Sequence, residues 1–162
     1  MEYIRIPLDT SNINELIITK RSKVKWISEY SLPGVQLDNG LNLLRVIYNY
    51  YHNSGNNAQN VYDDREHFYI TNVLGTTNSD TSMQSELLNP RFNQWIKESI
   101  YVNFNTKKMT YTISNDDGTD EETIMLENIV FERSSNTKLT LYTWGWSDGS
   151  EHIIDNLGIY TK

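Results

Sequence analysis

Hydrophobic and polar residues alternate along much of this chain, most regularly between Trp95 and Asn105. Four apolar positions there share one parity: Ile96, Ile100, Val102 and Phe104. Because successive side chains of a β-strand point to opposite faces, this alternation predicts a half-buried strand. A turn at residues 106–108 then leads into a second alternating run that begins at Met109, so the two runs together predict an antiparallel hairpin.

Two further strand-like runs lie in the last stretch of the chain, Leu139 to Tyr160, where the polar residues 147–150 separate them. A terminal strand must lodge in a sheet, because an isolated hairpin is barely stable in water. The run from Tyr3 to Leu8 at the other end is also strand-like, and Pro7 suits a sheet edge because it lacks a ladder donor. We therefore predict that the first and last strands lie side by side.

The remaining apolar runs predict further strands, and the segment 31–40, which separates the first two of them, carries two turn signals, Pro33-Gly34 and Asn39-Gly40. These runs are Glu15 to Tyr30, Leu41 to Tyr51, His67 to Leu74 and Ile124 to Phe131. The polar segment 75–90 is long for a loop, and we expect a helical turn within it at Met83 to Leu88. Roughly nine short strands with turns every ten residues or so predict one all-β domain over residues 1–162, a two-sheet antiparallel β-sandwich of the jelly-roll type.

Charge and composition exclude several functional classes. The chain has a formal net charge of -7 and no Cys, so disulfides and thiolate chemistry are excluded and nucleic-acid binding is not expected. The four clustered basic residues are predicted to be the solvated side of a strand: Lys20, Arg21, Lys23 and Lys25. The N-terminus shows no signal-peptide pattern and no apolar run is long enough to span a membrane. We therefore expect synthesis in the cytoplasm and no membrane insertion.

The order of several segments resembles the concanavalin A-like lectin and laminin-G-like jelly roll, especially as found in phage tail and other virion proteins. The segments are EYIRIPL near the N-terminus, the strand Trp95 to Asn105 turning into KMTYTI, then LTLYTWGWSDGS and a closing strand that ends in GIY. The resemblance covers nearly the whole chain. It implies two antiparallel sheets, one of which is commonly concave and often binds glycans.

The sequence shows no catalytic motif of the enzymes that share this fold, and its metal-binding signals are weak. Glycoside hydrolases on the jelly roll carry an E-x-D-x-x-E pattern on one strand face, because two carboxylates must flank one glycosidic bond. This chain lacks that pattern, so we predict a protein that is not an enzyme. The histidines His52, His67 and His152 are isolated in sequence and predict no metal site. No cofactor is expected, although Asp148 beside Gly149 leaves a calcium site open as an alternative.

Aromatic residues beside polar ones offer the strongest evidence for a ligand site, because sugar C-H faces stack on aromatic rings while polar groups bind the hydroxyls. Two groups meet this description. One consists of Tyr142, Trp144, Trp146 and Asp148, and the other of Tyr48, Asn49 and Tyr50. The alternative is that these aromatic side chains belong to the sandwich core.

Two functional hypotheses follow. The first is a virion structural protein of a phage tail, baseplate or capsid surface, whose jelly roll mediates assembly with other virion proteins or with itself and attaches to host glycans. The second is a free-standing carbohydrate-binding lectin domain. The first accounts for the absence of a signal peptide, Cys and glycosylation sequons, because virions assemble in the host cytoplasm.

Overall fold

A computed structural model describes residues 2–25, 34–49, 67–75, 82–143 and 151–162, where β-strand is the only regular secondary structure. The eleven strands are β1 (Glu2–Leu8), β2 (Glu15–Lys25), β3 (Gly34–Asp38), β4 (Leu43–Asn49), β5 (His67–Val73), β6 (Ser82–Gln84), β7 (Trp95–Asn103), β8 (Lys108–Asn115), β9 (Glu122–Glu127), β10 (Thr137–Thr143) and β11 (Glu151–Thr161). None of the described segments forms a helix that is long and apolar enough to cross a membrane.

The strands form two antiparallel sheets that pack as a sandwich. The six-stranded sheet has the order β1-β10-β3-β4-β5-β6, and the five-stranded sheet has the order β11-β2-β7-β8-β9. Apolar side chains from both sheets fill the space between them, including Leu16, Phe68, Ile113 and Leu139, each less than 2 % exposed. This architecture confirms the predicted all-β sandwich.

The two terminal strands are neighbours, but they do not pair with each other. Strand β1 pairs with β10 at the edge of the six-stranded sheet, whereas β11 pairs with β2 at the edge of the five-stranded sheet. Residues of both terminal strands line one cleft at this side of the sandwich. The predicted adjacency therefore holds across the sandwich, and the expectation of a side-by-side pair within one sheet is wrong.

The predicted hairpin is confirmed, since β7 and β8 pair antiparallel from Ile96↔Asn115 to Asn103↔Lys108. Two other strands differ from expectation. Strand β3 occupies the residues between the two turn signals, which were expected to be turn. Met83 lies in β6, which pairs with β5, so the helical turn expected at 83–88 is wrong. Leu88 instead exchanges backbone hydrogen bonds with Phe68.

Candidate functional site

A cleft of about 380 Å³ opens between the edges of the two sheets. We call it the edge cleft. Its lining residues come from β1, β10 and β11: Tyr3, Ile4, Leu141, Tyr142, Thr143, Glu151, His152, Ile153 and Ile154. Both walls thus come from strands at or next to a sheet edge, where no further described strand closes the gap.

The outer part of the edge cleft combines apolar surface with polar groups. The side chains of Tyr3 and Ile4 are 52 % and 58 % exposed, a large accessible area for an aromatic and an aliphatic residue. The Arg5 guanidinium lies 4.7 Å from the centre of the Tyr3 ring. Across the cleft, the Glu151 carboxylate is 3.5 Å from the Lys25 ammonium. An aromatic ring and a carboxylate that line one cleft can together bind a polar ligand with exposed C-H groups.

Tyr142 is the one candidate aromatic residue that the structure describes in the cleft wall. Its half-buried ring lies over Gly34 of the neighbouring strand β3, which is paired with Tyr142. A Cβ atom at position 34 would lie 2.7 Å from the Tyr142 hydroxyl oxygen and 2.6 Å from the Val46 carbonyl oxygen. Glycine is therefore required at position 34 for this close approach.

Behind the cleft wall, His152 connects the edge cleft to a polar cluster inside the sandwich. Its Nε2 atom lies 3.0 Å from the Lys20 Nζ atom. Its ring also packs edge-on against the Tyr48 ring, with centroids 5.5 Å apart. We call the group made by Lys20, Ser22, Tyr48, Glu98, Tyr111 and His152 the buried polar cluster.

Glu98 is the centre of the buried polar cluster. Its Oε1 atom accepts hydrogen bonds from the hydroxyls of Tyr48 and Tyr111. Its Oε2 atom accepts one from the Ser22 hydroxyl at 2.6 Å and contacts the Lys20 ammonium. Lys20 also donates to the Ser22 Oγ atom at 3.0 Å. Both carboxylate oxygens are therefore satisfied, as burial of a charge requires.

Burial and mutual attraction set the protonation of these groups. Burial lowers the pKa of Lys20, and the attraction of Glu98 opposes that shift without cancelling it. Burial alone would raise the pKa of Glu98, but the Lys20 charge and the hydrogen bonds from Lys20, Ser22 and Tyr111 bring it below the ordinary value. Burial and the Glu98 charge raise the pKa of Tyr48 and Tyr111. Both phenols therefore stay protonated and act as donors.

His152 is uncharged near neutral pH. Burial, and then the nearby Lys20 charge, lower the pKa of His152 to about 3. A neutral imidazole can accept a hydrogen bond from the Lys20 Nζ through Nε2, whereas an imidazolium could not.

The structure corrects the expectation that Lys20 lies on the solvated side of its strand. Residues alternate along β2 between buried and half-buried, and Lys20 belongs to the buried set, at 3 % exposure. Arg21, Lys23 and Lys25 do lie on the outer face. The sequence contained this signal, because Lys20 shares the parity of Leu16, Ile18 and Val24, whereas the other three basic residues have the opposite parity.

The candidate glycan residues divide into three groups. Tyr142 lines the edge cleft. Tyr48 is fully buried and donates to Glu98, so the expectation that it lies at an exposed ligand surface is wrong. The others, Tyr50, Trp144, Trp146 and Asp148, lie outside the described residues, and Asn49 is the last residue of β4.

The described strand ends next to these undescribed candidates lie close together. Gly34 pairs with Tyr142 on one side and with Ile47 on the other, which places the ends of β4 and β10 at the same end of the six-stranded sheet. The start of β11 lies across the edge cleft from the end of β10. The described ends of β4 and β10, which carry or adjoin the two predicted groups, therefore lie at one end of the six-stranded sheet.

Among the described residues, no three or more His, Asp and Glu side chains form a group that could hold a metal ion. The alternative site at Asp148 lies outside them.

Comparison with known proteins gives structural matches only. The sequence matches no protein-family model and no curated protein. Lectin I from Ulex europaeus, in complex with the methyl glycoside of α-L-fucose, is 12% identical with a TM-score of 0.60, over 95% of this chain and 76% of the lectin. The CBM2 module of the evolved Dit protein of Lactobacillus casei BL23 phage J-1 is 15% identical with a TM-score of 0.54, over 97% of this chain and 66% of that chain.

An enzyme family also contains a similar domain. A GH43 glycoside hydrolase with endo-xylanase and exo-arabinofuranosidase activity matches 92% of this chain with a TM-score of 0.58 and 12% identity, but only 29% of the enzyme is covered. This chain thus spans a small part of that enzyme. At these identities the matches define the fold and nothing finer. Together with the two antiparallel sheets, they show that this chain has the concanavalin A-like lectin jelly-roll fold.

Proposed function

We propose that this chain is a carbohydrate-binding domain that holds a glycan at the edge cleft without cleaving it. The observation that carries the proposal is the combination of exposed Tyr3, half-buried Tyr142 and the Glu151 carboxylate around one opening of about 380 Å³. Aromatic rings stack on sugar C-H faces, and the carboxylate accepts hydrogen bonds from hydroxyls. The lectins and the CBM2 module that share this fold support a binding role.

A glycan array followed by calorimetry on the best glycan tests the proposal. We expect Tyr3→Ala to weaken binding at least tenfold, because it removes the exposed stacking face. The matched control is Tyr160→Ala, since Tyr160 is similarly exposed, at 59 %, but lies outside the cleft lining. Equal loss in both variants, or an array with no signal for the wild type, would refute the proposal.

The same binding measurements apply to the aromatic residues of the 144–150 segment. The single substitution Trp146→Ala is also expected to weaken glycan binding. The segment 144–150 joins β10 to β11, and these two strands line opposite walls of the edge cleft. Incubating the bound glycan with the protein and measuring new reducing ends tests for cleavage. Release of sugar would replace the binding role with a hydrolytic one.

We further propose that the chain is a component of a phage particle, as a tail, baseplate or capsid-surface protein. Similarity to the phage J-1 Dit module over 97% of this chain supports this assignment. The exposed apolar side chains of Tyr3 and Ile4 on edge strand β1 suit contact with another virion chain or a second copy. Detection of the chain by mass spectrometry in purified particles tests the location, and its absence there would leave the free-standing lectin.

A further inference from the structure

The proposed glycan site does not use the interior of the buried polar cluster. Lys20 and Glu98 occupy directly paired positions of β2 and β7. Their side chains are 1% and 0% exposed, and the Lys20 Nζ atom contacts the Glu98 Oε2 atom. An amine is thus held against a carboxyl group with water excluded, which favours condensation because the reacting groups are already placed together.

The surrounding donors are placed as this reaction would need them. The Tyr48 and Tyr111 hydroxyls both donate to the Glu98 Oε1 atom. They would stabilise the negative charge that develops on this oxygen when a nucleophile attacks the carboxyl carbon. Ser22 accepts a hydrogen bond from the Lys20 Nζ atom and donates to the Oε2 atom. A proton can therefore pass from the amine to the departing oxygen through one hydroxyl.

We propose that Lys20 and Glu98 condense within the folded protein to form an intramolecular amide that joins strands β2 and β7. Proton transfer from the ammonium to the carboxylate first gives the neutral amine and the carboxylic acid. The Nζ lone pair then attacks the Glu98 Cδ atom, and a bond forms between Nζ and Cδ while the carbonyl electrons move to Oε1. The Ser22 hydroxyl, which accepts a hydrogen bond from Nζ and donates one to Oε2, relays the proton released by the attacking amine.

Collapse of the tetrahedral intermediate completes the condensation. The electrons on Oε1 restore the carbonyl, the Cδ–Oε2 bond breaks, and Oε2 leaves as water after receiving its second proton through Ser22. Of the three ammonium protons, two leave in the water and one stays on the amide nitrogen. No oxidant, reductant or cofactor is consumed. The two buried charges disappear, and with them the desolvation cost of a buried ion pair at this position.

The product would be a covalent tie in a chain that has no Cys. The joined residues are 78 positions apart in sequence, so the amide would close a long loop that includes four complete strands, β3 to β6. Unlike a disulfide, it would withstand reducing agents.

The intact mass of the full-length protein, measured after denaturation, tests the proposal. We expect a mass lower than that of the unmodified sequence by one water molecule. Tryptic digestion should show no cleavage after Lys20 and should release a branched peptide containing both Lys20 and Glu98. A mass equal to that of the sequence overturns the proposal. A water loss that maps elsewhere, for example to the Asp117-Gly118 step, also overturns it.

Two variants at Glu98 separate the chemistry from folding. In Glu98→Gln the amine would expel ammonia instead of water, so the final mass should equal that of the wild-type product. Glu98→Ala should have the unmodified mass of its own sequence. Lys25→Ala removes the surface ion pair with Glu151 and should still lose one water. Water loss in Glu98→Ala would contradict the assignment, and the wild-type mass decides the matter even if a variant fails to fold.

Discussion

The interior of this sandwich has two parts that are built on the same strands but differ in chemistry. In the apolar part, Ile18 of β2 and Ile100 of β7 occupy paired positions and line one small void with Met109 and Leu139. Two residues further along the same strands, the inward pair is Lys20 with Glu98. The alternation of buried and outer positions along β2 is unchanged between the two parts.

Strand periodicity determines which side chains are buried, whereas the neighbouring side chains determine whether a buried charge can be tolerated. The apolar part is stabilised by dispersion and by loss of water from apolar surface. The polar part depends on partners for every buried donor and acceptor, because an unpaired charge in the interior is costly. It also lies behind the edge cleft, which His152 connects to Lys20.

The largest effect is expected at the centre of the polar part. Glu98→Ala leaves the Lys20 ammonium buried beside two phenolic donors whose acceptor is gone. Removing one partner of a buried pair typically costs about 3–5 kcal/mol, so the free energy of unfolding should fall by at least this amount. Urea unfolding followed by Trp fluorescence measures it. A loss below about 1 kcal/mol would contradict the role of Glu98 as the acceptor that holds the cluster together.

A smaller effect is expected in the apolar part. Leu139→Ala removes a fully buried side chain and leaves a void, which typically costs about 3 kcal/mol. This loss should be the same at pH 7 and pH 5, because no titrating group is removed. A loss that varies strongly with pH would mean that the two parts of the interior are coupled.

Much of the fold could be predicted from the sequence because alternation is a local property. The strands around Trp95 to Asn103 and Lys108 to Asn115 have clear period-two patterns and form the predicted hairpin. Strand β3 was missed because it is only five residues long and begins at Gly34, which is also a turn signal. The sheet to which each terminal strand belongs was not predictable, because alternation reveals faces and not partners.

The candidate site was harder to predict, since it depends on contacts between residues that are distant in the chain. Tyr48 was expected at a ligand surface from its aromatic and polar neighbours in sequence, yet its partner is Glu98, 50 positions away. His152 and Lys20 are 132 positions apart. Only the burial of Lys20 was readable locally, from its parity along β2. The edge cleft arises from three strands that alternation alone cannot bring together.

A pH-dependent effect is expected at the point where the polar part meets the cleft. The folded-state pKa of His152 is lowered to about 3 from 6.5, so its contribution to stability is complete above pH 6.5 and is lost as pH falls toward 3. Between pH 7 and pH 5 the wild type should lose about 1–2 kcal/mol from this group, where the lower value allows for solvent screening at a half-buried site. His152→Asn should remove this part of the slope, as urea unfolding at both pH values would detect. An unchanged slope in the variant would mean that His152 is protonated as readily in the folded state as in the unfolded state.

The smallest effect is expected one residue from Lys20 in sequence, on the opposite face of the same strand. Arg21 donates to the Asp116 carboxylate at 2.7 and 2.8 Å, and its guanidinium lies 4.1 Å from the centre of the Trp95 ring. The Arg21 and Asp116 side chains are 28% and 41% exposed, so solvent weakens their attraction and salt can screen it. Arg21→Ala should therefore shift the urea midpoint much less than Lys20→Met, and the shift should shrink further at high salt. If Arg21→Ala cost as much as Lys20→Met, the contrast between the buried and the outer basic residues of β2 would be wrong, because position on the strand would no longer determine how much each side chain stabilises the fold.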